Sequence, residues 1–163
     1  MTEMQIGEQL FSKLDHIGLI VRDLDDVVKY LQRLGMGPFR RYISPGPVER
    51  EVYGVSIGPE HHMGELQLTW MGPVVLEVLK PLPIPGRSPT LEYLDTKGVG
   101  INHLCFSVDD VEKETAKLEK KGFKCILRVK FRGSGGCTYL DTSDVLGFMT
   151  ELVQWPPGYP KVE

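Results

Sequence analysis

Two histidines and two glutamates stand at matching places in this 163-residue sequence. His16 lies in Leu14-Asp15-His16-Ile17-Gly18-Leu19 and His103 in Ile101-Asn102-His103-Leu104-Cys105-Phe106. Each is followed, tens of residues later, by a glutamate inside an apolar run: Glu77 in Val74-Val75-Leu76-Glu77-Val78-Leu79, and Glu151 in Phe148-Met149-Thr150-Glu151-Leu152-Val153. An ionised carboxylate in such a run is costly unless something compensates it, and a divalent cation is the simplest compensator. Two imidazoles and two carboxylates make a formally neutral shell for a dication, suited to Zn, Ni, Co, Mn or Fe rather than to a soft, thiolate-seeking ion. Singly, a histidine or a glutamate in a strand is an ordinary core or surface group. Four at equivalent places of a repeated unit are not explained by unrelated structural roles.

The chemistry expected of such a centre is proton transfer next to a carbonyl. Four protein ligands leave two positions of an octahedron for a substrate with two adjacent oxygens, and the ion would act as a Lewis acid toward charge developing on oxygen as an α-proton leaves. The base must be a carboxylate within hydrogen-bond reach of that proton, which points to Glu151 first and Glu77 second. Extradiol ring cleavage is a competing reading, since it uses two histidines and one carboxylate on iron; Glu77 would fill a position that oxygen chemistry needs vacant. A non-catalytic ligand-binding or resistance protein would need a cavity but no such quartet. His61 and His62, in the loop from Gly58 to Gly64, are expected in solvent or at the pocket mouth rather than on the ion.

The elements that must position these residues come from an internal repeat. Leu14 to Met36 aligns without a gap on Ile101 to Phe123 at a constant offset of 87, placing His16 on His103, Asp23 on Asp110 and Gly35 on Gly122. Alternation predicts a strand around each histidine. Leu24, Val27, Val28, Leu31 and Leu34 recur at helical spacing, with Asp23 and Asp110 where N-caps belong and Gly35 and Gly122 where helices stop. Three β-like stretches follow in each copy: Phe39 to Ile43, Glu65 to Met71 and Val74 to Lys80, then Lys124 to Phe131, Cys137 to Asp141 and Phe148 to Gln154. The expected organisation is one domain over 1–163, with βαβββ modules at 11–80 and 99–156. The joining segment, 81–98, is a stiff proline-rich linker with a short helix starting at Ser88-Pro89. Ser44 to Gly64 reads as a Pro/Gly-rich excursion, and Gly133 to Gly136 as a hairpin connection or a lid. Arg128, Lys130 and Arg132 read as one face of a solvated edge strand, or as a contact for a phosphate.

The composition, 41% hydrophobic and 25% charged, is that of a globular protein; with a net charge of -3 it gives no basic footprint for nucleic acid. No apolar run approaches a membrane span, and Met1 to Gln9 is polar, so a cytoplasmic location is expected. The three cysteines, Cys105, Cys125 and Cys137, read as reduced thiols.

The segments Leu14 to Leu19, Ile101 to Asp110 and Thr150-Glu151-Leu152 resemble the signature stretches of the vicinal oxygen chelate superfamily, which spans glyoxalases, bleomycin-resistance proteins and dioxygenases. Within it the strongest resemblance is to methylmalonyl-CoA epimerases, through Glu77 to Leu82, the short helix before His103 and the glycine loop. The resemblance implies an α+β fold in which two βαβββ modules form a deep U-shaped mixed sheet around one divalent ion, often in a homodimer. It further implies an epimerase or isomerase working through an enolate on a small substrate, such as a CoA thioester. The sequence departs from the epimerases at Glu77, where they carry glutamine and bacterial glyoxalase I carries glutamate, so a lyase acting on a thiol hemithioacetal is the runner-up. Gln67 aligns with the epimerases' basic glutamate, and Cys137 and Asp141-Thr142 replace their basic residue and His-Pro.

Overall fold

The structure, a computed structural model, describes residues 11–159. In chain order the elements are β1 (Leu14–Ile20), α1 (Leu24–Arg33), β2 (Arg40–Arg41), β3 (Pro47–Val52), β4 (Val55–Ile57), β5 (Gly64–Met71), β6 (Val74–Pro81) and α2 (Pro89–Lys97). They continue as β7 (Gly100–Ser107), α3 (Val111–Lys120), β8 (Cys125–Phe131), β9 (Gly136–Leu140), α4 (Ser143–Leu146) and β10 (Met149–Gln154). The strands form one mixed sheet in the order β2-β5-β6-β1-β7-β10-β9-β8-β3-β4, giving the expected α+β arrangement. Among the described residues no helix is long and apolar enough to cross a membrane.

The two helices after β1 and β7 start and stop by the same chemistry. Asp23 accepts from the Asp26 amide at 2.9 Å and Asp110 from the Lys113 amide at 3.0 Å, while Gly35 and Gly122 take left-handed φ values of 89° and 92°. Leu24 and Val28 of α1 pack on Val21, Leu76 and Val78; Val111 and Leu118 of α3 pack on Leu140 and Leu152. These helix-backed cores occupy the outer face of each half. A third core, including Ile20, Leu127, Val129, Tyr139, Met149 and Val153, lies on the inner face.

The excursion after β2 is structured, and it extends the far end of the open sheet. Its hairpin, β3 and β4, pairs antiparallel with β8 of the second half, at the opposite end of the sheet from β2. A flat sheet would set β2 and β3 nearly 40 Å apart at about 4.8 Å per strand, whereas the chain from Arg41 to Pro47 reaches roughly 20 Å at most. The sheet must therefore curl until its edges approach. The sequence signal for the hairpin is the alternating Val48 to Val52 ahead of Tyr53-Gly54, whose φ values of 51° and 77° form a two-residue turn of positive φ. Tyrosine is costly in that conformation, but its ring lies 3.7 Å under the Arg87 guanidinium and its hydroxyl donates to Glu92 at 2.9 Å.

This hairpin corrects the reading of β8 as an edge strand. Arg128 is paired with Glu112 and Glu119 of α3, and Lys130 with Glu49 of β3. The expected strand Phe39 to Ile43 shortens to two residues because the chain leaves for the far edge. The glycine loop is a packed hairpin turn: a Cβ on Gly135 would lie 2.1 Å from the Gln154 carbonyl oxygen.

Candidate metal centre

The centre is built where the two halves meet. β1 and β7 run antiparallel with Gly18 opposite His103 and His16 opposite Cys105, so each imidazole stands over a small residue of the other strand. At Gly18 the need is absolute, since a Cβ there would sit 2.0 Å from His103 Cε1. The glutamates enter from the flanking parallel strands, Glu77 of β6 beside Gly18 and Glu151 of β10 beside Cys105. Sequence order is thus converted into one row of four convergent side chains, exposed by only 5%, 8%, 0% and 4% for His16, Glu77, His103 and Glu151.

The two Nε2 atoms are 3.2 Å apart. Glu151 Oε2 lies 3.2 Å from His16 Nε2 and 3.3 Å from His103 Nε2, and Glu77 reaches the same two nitrogens at 3.7 and 3.6 Å. His16 Nδ1 donates to Asp15 Oδ1 and His103 Nδ1 to Asn102 Oδ1, each at 2.8 Å. With the proton on Nδ1, each Nε2 presents a lone pair inward. Two lone pairs and two carboxylates then face one another, and Glu151 Oε2 is buried without a hydrogen-bond partner. The four facing groups are acceptors in that tautomer, and a cation among them would satisfy them together. Donors about 2.1 Å from a common ion are roughly 3.0–3.4 Å apart at right or tetrahedral angles, close to the observed spacings. His16, Glu77 and His103 bring ligand atoms close enough together to share one divalent ion, and Glu151 Oε2 lies within 3.3 Å of both imidazoles.

Titration of the metal-free centre follows the same crowding. Burial raises the Glu77 carboxyl to about 7, with Glu151 and Asp15 adding to the effect and His16 opposing it. Burial lowers His103 to about 4, helped by His16 and opposed by Glu151. Burial works against the His16 imidazolium too, but Cys105, Glu77 and Asp15 outweigh it and hold its pKa well above the ordinary value. Burial pushes Glu151 up, and contacts with His16, His103 and Tyr139 bring it below the usual carboxylate value.

Several neighbours carry no repeat signal. Tyr139 meets His103 edge-on at 5.2 Å and hydrogen-bonds Glu151; the Cys137 thiol also reaches Glu151. Tyr42, half-buried, lies close enough to Glu77 and Glu151 for their charges to raise its pKa. The alternation of Cys137 and Tyr139 with Thr138 on β9 was the available signal for two of these. Gln67 faces the other way: it pairs with Val78, on the face covered by α1, so it lies outside the centre whatever its alignment. His61 lies near Glu60 in its loop, and Trp70 and Met71 are exposed. The three cysteines are free.

The mixed sheet brings two buried imidazoles between two buried carboxylates at the meeting of two similar halves. The chain belongs to the Glyoxalase/Bleomycin resistance protein/Dioxygenase superfamily, whose family model matches residues 15–140. Among solved structures it is similar in fold to a hypothetical protein from Bacillus halodurans, with 21% identity, 91% of this chain and 97% of that chain covered, and a TM-score of 0.62. A methylmalonyl-CoA epimerase from Mycobacterium tuberculosis matches at 23% identity over 91% of each chain, with a TM-score of 0.62. A Streptomyces coelicolor methylmalonyl-CoA epimerase variant in complex with 2-nitronate-propionyl-CoA matches at 23% identity over 88% of this chain and 97% of that one, TM-score 0.61. No curated protein sequence matches this chain.

Proposed function

We propose that the protein is a metal-dependent epimerase or isomerase that moves a proton at the carbon beside a carbonyl, on a small substrate with two neighbouring oxygens. His16, Glu77, His103 and Glu151 would hold the ion. When bound, it would supply Lewis-acid stabilisation of the charge that develops on substrate oxygen.

The observation that carries the epimerase reading is the placement of the two carboxylates. Glu77 and Glu151 come from strands on opposite sides of the β1–β7 pair and flank the imidazoles. Epimerisation needs a group on each face of the reacting carbon, one to take the proton and one to return it. Glu151, held by Tyr139 and Cys137, and Glu77, farther from both imidazoles, fill these two roles. Buried surroundings exclude water that would compete for the proton. The glutamate at position 77 also fits a lyase of the glyoxalase I type, which performs the same proton transfer on a thiol hemithioacetal.

Isotope exchange tests the reading. The metal-loaded protein is incubated in D2O with methylmalonyl-CoA and, separately, with the glutathione hemithioacetal of methylglyoxal. Deuterium entering the thioester, and none after chelation, is the expected result. Product from the hemithioacetal alone assigns the lyase, and label unaffected by chelation overturns the metal requirement. Glu151→Gln is expected to abolish epimerisation, with turnover down about 1,000-fold, while the thioester still binds.

A further inference from the structure

Asp15 is out of place. Alternation along β1 should turn it away from His16, yet its carboxylate lies beside the ring. The register explains this: pairing with β7 steps from Leu14–Phe106 to His16–Cys105, so Asp15 is the extra residue of a β-bulge. Asn102 is the extra residue of a second bulge, between Gly18–His103 and Leu19–Ile101. A bulge re-aims one side chain against the pleat. Here the same device is used twice, each time bringing an oxygen acceptor to the Nδ1 of the adjacent histidine.

The two copies then diverge. Asp15 Oδ2 also accepts from Ser107 Oγ at 2.8 Å and from the Trp155 indole Nε1 at 2.9 Å. By the repeat, Ile20 occupies the place of Ser107; matching Glu77 to Glu151 puts Pro81 in the place of Trp155. Neither offers a side-chain donor, and the buried Asn102 Nδ2 has no hydrogen-bond partner. An anion with three donors therefore backs His16, and a neutral amide backs His103. Trp155 itself is fixed between Phe131 and Tyr159, stacked at 5.9 and 5.5 Å.

We propose that Asp15 is a positioning residue that ties the C-terminal segment to the metal centre: Trp155 and Ser107 fix its carboxylate, and the carboxylate fixes the His16 ring with Nε2 inward. A hydrogen bond of this kind orients an imidazole and strengthens it as a ligand, and its loss typically weakens metal binding 10- to 100-fold. The inference rests on His16 being a metal ligand.

The test is Co(II) affinity and the Co(II) visible spectrum, measured on the full chain with Asp15→Asn, Trp155→Phe and both together, alongside melting temperatures after chelation. Asn at 15 keeps an acceptor for His16 but sets its amide against the indole N–H. Asp15→Asn is expected to weaken Co(II) binding about 10-fold with an altered spectrum. Trp155→Phe keeps the ring stack and removes only the donor; it is expected to weaken binding severalfold, and the double variant to be no worse than Asp15→Asn alone. Affinity and spectrum unchanged in Asp15→Asn, or Trp155→Phe acting only on the melting temperature, overturns the role given to Asp15. Absence of Co(II) binding by the unaltered protein overturns the metal reading itself.

Discussion

Gly18→Ala is expected to weaken divalent-metal binding by about 100-fold or more while leaving the chain folded. The added methyl would stand 2.0 Å from His103 Cε1, so the ring must retreat by more than 1 Å, as ordinary carbon contacts need about 3.5–4.0 Å. It has nowhere to go. His103 is fully buried, Tyr139 lies against it edge-on, and Asn102 holds its Nδ1. The displaced Nε2 leaves the row of donor atoms, whereas overpacking of this size costs the fold only about 1–3 kcal/mol. Cys105→Ala supplies the control, because Cys105 holds the repeat-equivalent place under His16 and losing its thiol adds space there. Titration with Co(II) or Zn, together with circular dichroism of the metal-free form, separates the two effects. Unchanged affinity in a folded Gly18→Ala protein would mean that His103 does not ligate.

Glu77→Gln should act with opposite sign on stability and on metal binding. In the metal-free protein the Glu77 carboxyl is raised from 4.5 to about 7, mainly by burial. A folded-state pKa above the unfolded one means the fold binds that proton more tightly. The resulting stabilisation is complete below about pH 4.5 and is lost as pH rises through 7. The shift corresponds to about 3 kcal/mol, so the chelated wild type should weaken between those pH values. Glu77→Gln should remove most of that dependence and melt roughly 6–12 °C higher than wild type at pH 8 in chelator. Adding metal should reverse the ranking, because the wild type gains more by binding. A chelated variant less stable than wild type at pH 8 would show that the Glu77 charge is satisfied within the fold and needs no ion.

Much of this centre is written in the chain, and the missing parts depend on strands distant in sequence. His16, His103, Glu77 and Glu151 are legible because the repeat in the sequence places them at equivalent points of equivalent strands. The caps Asp23 and Asp110 and the stops Gly35 and Gly122 are legible because their chemistry is local. Asp15 and Asn102 are hidden because a strand's period of two assigns them to the wrong face, and a bulge appears only when the partner strand is known. Gly18 reads as a small residue until His103 is seen above it. The β3–β4 hairpin was hidden in a different way: Tyr53-Gly54 signals a turn, but nothing local says that a segment of the first half pairs with β8 of the second. Tyr42 comes near Glu77 only through the pairing of distant strands, which no short stretch encodes.

Metal stoichiometry combined with X-ray absorption of the Co- or Zn-loaded protein tests the central claim most directly. One ion per chain, coordinated by two imidazole nitrogens and carboxylate oxygens, is the expected result, with occupancy lost when His16 and His103 are both changed to alanine. No ion retained at micromolar concentration, or full occupancy surviving in that folded double variant, would contradict it.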